Sequence, residues 1–222
     1  MPYEYSGNFQ QNTRLKYVKA TTLTKPTGGG VTQIELPKAG ILGGLAVQIS
    51  ATVAGSLSAP NAGGLASIIK RIQLRVNAGQ TIFDMSGVGY AYLLSQFIQD
   101  NYDQTVGTDL QLAVTTGTKN LDIFLPVALN TRDELGLIML QNMQTIVTLI
   151  IEWEADATVA TGATVTATAN PVMWVYEVPS NPNDIPPLDT IHQVLETAST
   201  IGGAGDSDYQ ISIGSTLVGV YH

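Results

Sequence analysis

Between Ile68 and Val76 the chain reads Ile-Ile-Lys-Arg-Ile-Gln-Leu-Arg-Val, so Ile72, Leu74 and Val76 fall on one side of an extended backbone and Arg71, Gln73 and Arg75 on the other. A period of two with one oily and one polar side predicts a β-strand that is core on one face and wet on the other. Asn77-Ala-Gly-Gln80 supplies turn residues, and Thr81-Ile-Phe-Asp-Met85 returns as the partner strand. Similar runs recur along the chain. The spacing predicts eight strands, over 31–36, 41–53, 68–77, 80–85, 120–129, 145–154, 163–169 and 171–178. Gly43-Gly44 inside the second strand predicts a bulge or another backbone close by. The segment Glu134–Gln141 is of uncertain type. The 25 threonines and 22 glycines suit half-buried strands joined by tight turns.

The period changes once. Ser86 is placed to cap a helix whose apolar residues Tyr90, Leu93, Leu94, Phe97 and Ile98 repeat at three and four, although Gly87 and Gly89 weaken its first turn. These aromatic and aliphatic residues read as a helix face packed on the sheets rather than a ligand box. A polar loop, 100–119, follows. The expected fold is all-β: an eight-stranded antiparallel jelly roll, a two-sheet sandwich with one inserted helix.

Four regions are expected: an N-terminal arm over 1–27, the jelly-roll domain over 28–179, a Pro-rich linker over 180–190 and a C-terminal segment over 191–222. The linker holds Pro182, Pro186 and Pro187 and has no hydrophobic period. The C-terminal segment repeats an order met earlier. Gly28–Gly30, Ile34-Glu-Leu36 and Ile41-Leu-Gly43 are matched by Gly202–Gly205, Ile211-Ser-Ile213 and Leu217-Val-Gly219. It reads as the opening of a second copy, so that the chain is the first half of a double jelly roll in a longer polypeptide, or its last strands complete a neighbouring subunit.

Charge narrows the function classes. The chain carries 10 Lys+Arg against 18 Asp+Glu, a net −8, which argues against a general nucleic-acid binder. Residues 1–75 hold eight bases and two acids, and the remainder holds sixteen acids and two bases, an asymmetry that points to an oriented partner. With no Cys there is no disulfide, no thiolate zinc site and no thiol nucleophile. No apolar run approaches the roughly 18–20 residues of a membrane span, and the first residues lack the basic-then-apolar order of a leader.

Candidate chemistry is sparse. His192 and His222, the two histidines, both lie after the roll, so neither a Ser-His-Asp triad nor a multi-His metal site can form inside it, and His192 reads as a solvated linker residue. Glu152, Glu154 and Asp156 would line one face about 7 Å apart if the strand continued through them, the arrangement a jelly-roll glycosidase would need. A wet, charged strand end explains the same residues. Asp100, Asp103 and Asp109 match no EF-hand spacing, and the glycines 28–30 precede neither a helix nor a Lys-Ser/Thr. No catalytic, cofactor-binding or metal residue is expected.

The runs Ile34-Glu-Leu-Pro-Lys-Ala-Gly40, Ile68–Asn77, Ala78-Gly-Gln80 and Phe83-Asp-Met-Ser-Gly-Val-Gly-Tyr90 together resemble the major capsid proteins of tailless icosahedral bacteriophages, over about residues 30–180. In that family two upright jelly rolls share one chain and three chains form a pseudo-hexagonal capsomer. The resemblance implies a non-enzymatic virion shell protein, made in the host cytoplasm. Its partners would be copies of itself and minor capsid proteins, often over an internal membrane. The basic arm residues Arg14, Lys16, Lys19 and Lys25 would then face that membrane or the genome, or pair with a neighbour's acidic surface. The alternatives are a carbohydrate-binding β-sandwich module, whose aromatic platform is not evident from two Trp inside apolar strands, and the glycosidase.

Overall fold

A computed structural model describes residues 9–91, 110, 112–129, 134–186, 188 and 191–196. Two sheets face each other across one apolar core. The first, sheet A, has the order β1 (Leu15–Lys19), β10 (Ala160–Tyr176), β4 (Ile41–Pro60) and β7 (Gly117–Pro126), with β2 (Leu23–Thr24) added on β10 and β8 (Ile138–Met139) on β4. Sheet B has the order β3 (Gly30–Glu35), β9 (Val147–Trp153), β5 (Ile69–Val76), β6 (Gln80–Met85) and β11 (Val194–Leu195). Every pairing is antiparallel except β11 on β6. Counting β1 and β2 as one strand interrupted by three residues, the chain passes from sheet to sheet in jelly-roll order, with β5 and β6 as the hairpin in sheet B.

Period-two patterning builds the core. In β4 Leu45, Val47, Ile49, Ala51 and Val53 are buried while Gln48, Ser50, Thr52 and Ala54 are exposed. In β9 Val147, Leu149, Ile151 and Trp153 point inward, and in β5 Ile72, Leu74 and Val76 do the same. These side chains belong to one contiguous cluster. Burial on this scale is the main force holding the sheets together. A smaller cluster of Phe9, Ile41, Ala128 and Leu137 closes one end, beneath the short helix α1 (Phe9–Asn12).

Three differences from the sequence expectation have plain physical causes. The runs 163–169 and 171–178 form one strand, β10, through Pro171. A proline lacks an N–H, and it is tolerated here because the neighbouring strand is interrupted opposite it: β1 ends at Lys19↔Val172 and β2 begins at Leu23↔Ala169. Second, Leu15–Lys19 and Leu23–Thr24 of the expected arm are strands. Leu15–Lys19 is an edge strand exposed along most of its length, so its sequence has no hydrophobic alternation to read, and its backbone pairing with β10 supplies the order. Third, residues 191–196 of the C-terminal segment are stitched to β6: Gln193 Nε2 donates to Thr81 O at 2.8 Å and Glu196 N to Asp84 O at 2.8 Å. The expected second copy, 202–219, lies outside the described residues, as do residues 92–98 of the expected helix.

What is described of that helix begins at α2 (Gly87–Gly89), where the Ser86 hydroxyl accepts from Gly89 N at 2.9 Å, the expected cap. Gly87 is needed for contact, since a Cβ there would sit 2.2 Å from Ala66 O. The fully buried Tyr90 hydroxyl accepts from Phe124 N at 2.7 Å and donates to Phe124 O at 3.3 Å, which occupies the outer edge of β7. Burial pushes the phenol well above its ordinary value. Among the described residues, no helix is long and apolar enough to cross a membrane.

Candidate interaction faces

The three acids do not form a row. β9 ends at Trp153, whose indole Nε1 donates to Thr32 Oγ1 at 2.8 Å, and the chain then turns into the short helix α3 (Asp156–Val159). Glu152 accepts from Lys70 Nζ at 2.6 Å, Glu154 accepts from its neighbour Ala155 N at 3.1 Å, and Asp156 accepts from Lys25 Nζ at 2.5 Å. Two of the three carboxylates are thus answered by lysines, and the hydrogen bond to Glu152 raises the Lys70 pKa. The shared face that glycoside chemistry would need is lost because the strand stops one residue after Glu152. His192 is also placed differently from the solvated residue expected. It is half-buried beside Gly136, and burial lowers its pKa against a hydrogen bond to the Ala128 backbone. Among the described residues no group of three His, Asp or Glu could hold a metal ion. Asp100, Asp103, Asp109 and His222 lie outside them.

The expected basic arm is divided. The Lys25 side chain is fully buried in its pair with Asp156, which removes it from any surface role. Lys16 pairs with Glu177, and that bond lowers the Glu177 pKa. Lys19 stands opposite Val172 on the outward side of β1. The segment's polar composition and lack of a sustained period predict an arm, whereas pairing with β10 sends its bases to different surroundings.

The outer faces of the two sheets differ in kind. Sheet B carries Lys70, Arg71, Arg75, Glu35, Glu152 and Asp84 outward, with ion pairs Lys70–Glu152 and Arg71–Asp84. Arg75 Nη2 donates to Gln73 Oε1 at 2.8 Å, and a shallow concavity of about 270 Å³ lies over Gln33, Gln73 and Ile150.

Sheet A is almost uncharged outside. One half is a field of hydroxyls and amides: Thr164, Thr166, Thr168 and Asn170 on β10 stand beside Ala54, Thr52, Ser50 and Gln48 on β4, followed by Thr118 and Asn120 on β7. Thr52 and Thr118 hydroxyls meet at 3.1 Å, and Thr22 Oγ1 donates to Asn170 Oδ1 at 2.8 Å. The other half is aromatic. Phe124 and Trp174 rings stand 4.7 Å apart between centroids, and Tyr17 meets Trp174 edge-on at 5.9 Å. Gly43-Gly44 makes room for this layer. A Cβ at Gly44 would lie 2.5 Å from Phe124 Cζ and one at Gly43 2.7 Å from Tyr176 Cε2, while the expected bulge appears as the register shift between Trp174 and Val175. The close neighbours are therefore rings, not a second backbone. Lys19 and Asp122 are the two charges in these outward rows of β1, β10, β4 and β7. The threonine half was visible in sequence as Thr164-Val-Thr-Ala-Thr-Ala169, where the partner of each inward residue is a hydroxyl.

No family model and no curated protein matches the sequence. The architecture does have counterparts. Against the crystal structure of the STIV MCP, a viral major capsid protein, the TM-score is 0.54 at 16% identity, covering 77% of this chain and 50% of that one. The fold is the jelly roll of viral capsid proteins. An atomic structure of Sulfolobus Turreted Icosahedral Virus gives the same score and identity over 77% of this chain and 47% of that one. This jelly-roll chain therefore spans about half the length of both counterparts.

Proposed function

We propose that the chain is a structural, non-catalytic subunit of an icosahedral bacteriophage shell, meeting copies of itself in pseudo-hexagonal, trimer-based capsomers of the virion. The observation that carries this reading is the strand order β1-β10-β4-β7 over β3-β9-β5-β6, the capsid jelly roll, at a TM-score of 0.54 to the STIV MCP. Composition supports it. Only 13% of residues are charged, against about 25% in an average domain, as broad subunit contacts require. Arg14 is the described arm cation left to meet an internal membrane or the genome, with minor capsid proteins as further partners. Electron microscopy of the purified full chain tests the proposal: rings of pseudo-hexagonal outline or closed shells are expected. A protein that remains a monomer at every concentration would overturn it.

A further inference from the structure

We infer that the outer face of sheet A is the surface on which a second copy of this chain sits. The inference deepens the shell-subunit reading and rests on it. Charge gives the first reason. A chain of net −8 repels its own copies, so self-contact is least opposed where the charges are fewest. The outward rows of β1, β10, β4 and β7 hold one cation, Lys19, and one anion, Asp122, and sum to zero. The outer face of sheet B is crowded with ions already paired within the subunit, and burying those would charge a desolvation cost against each pair.

Size gives the second reason. From Thr164 to Tyr176 β10 runs for thirteen residues, about 40 Å at 3.4 Å per residue, and four strands at about 4.8 Å spacing are some 19 Å wide. The product is about 760 Å², close to the roughly 800 Å² per partner of a standard specific interface. Anchors are present as well. Tyr17 is 64% exposed and stands against the half-buried Trp174, and Tyr and Trp are residue types that dominate binding energy when a partner covers them. Flat hydroxyl rows alongside can exchange hydrogen bonds with a facing protein surface without leaving an ion unpaired.

Single charges placed on the face test this in the full chain. Thr52→Glu and Thr166→Glu sit at exposed neighbouring positions near its middle. Self-association is followed by sedimentation velocity and electron microscopy, and folding by thermal melting. Expected are wild-type melting curves with self-association weakened at least about tenfold, because a carboxylate would be buried without a partner. Thr52→Ser, and Gln33→Glu on the outer face of sheet B, should assemble as the wild type does. If the Thr52→Glu and Thr166→Glu chains assemble like wild type, or if Gln33→Glu weakens association as much, the face assignment is overturned while the shell reading stands. A wild-type chain that never associates removes both.

Discussion

Lys25 places an ammonium where no water reaches it: its side chain is wholly buried and Asp156 receives it at 2.5 Å. Removing one member of such a pair strands the other charge, so Lys25→Ala should cost about 3 kcal/mol, the lower end of the usual range because Asp156 keeps 20% of its side-chain surface. Urea unfolding of Lys25→Ala and of the double variant Lys25→Met/Asp156→Leu checks this, with the double variant nearer to wild type. A lysine that serves the interior cannot serve a lipid surface, whatever its position in a basic run. His192 carries the second residue-scale prediction. Burial holds its pKa below the ordinary 6.5, so the unfolded segment binds a proton more readily than the folded one. The stability His192 contributes is complete above pH 6.5 and is lost as the pH falls below it. The protection of the Val194 and Leu195 amides against hydrogen exchange, after correction for the intrinsic pH dependence of exchange, should therefore fall between pH 7 and pH 5, and His192→Gln should flatten that response.

At the scale of elements, β1 joins what reads as a tail to the centre of sheet A. Its register with β10 runs from Leu15↔Tyr176 to Lys19↔Val172, so β10 has a strand on each side and its backbone groups are met in both directions. Deleting residues 1–20 should consequently lower the thermal midpoint of the isolated subunit by several degrees and promote aggregation through the bared edge of β10. Differential scanning fluorimetry with light scattering measures both, and an unchanged midpoint would return these residues to the status of an arm. The strand escaped sequence reading because Leu-Lys-Tyr-Val-Lys has its larger apolar residues on the outer face, where Tyr17 supports Trp174. β10 departs from the sequence expectation in the other direction. Pro171 looks like a strand end in isolation, and only the interruption between β1 and β2 shows why it is not one.

At the scale of the molecule, one face is ionic and the other nearly neutral, and the two should respond differently to salt. Contacts made through sheet A's outer face depend on apolar burial and uncharged hydrogen bonds, so self-association should hold or tighten between about 0.1 and 1 M NaCl, over which screening shortens from about 10 to 3 Å and relieves the repulsion between chains of net −8. Sedimentation at the two ionic strengths measures it. A steep loss with salt would place the contact on sheet B's outer face, with Lys70, Arg71, Glu152 and Asp84.

The sequence alone determined the sandwich: alternation at Ile68–Val76, the turn at Asn77–Gln80 and the apolar runs of β4 and β9 each carry a period of two, and a period is a local property that burial of one face imposes. It also determined the Ser86 cap, since a cap reaches only three residues along the chain. Contacts between distant residues were decided by the tertiary structure. Whether Glu152, Glu154 and Asp156 share a face depends on where β9 stops. Which lysines remain outside depends on Asp156 and Glu177, 131 residues from Lys25 in one case. The aromatic layer over Gly43-Gly44 exists because β1, β10, β4 and β7 bring four separate stretches together, and no stretch by itself carries a sign of the others.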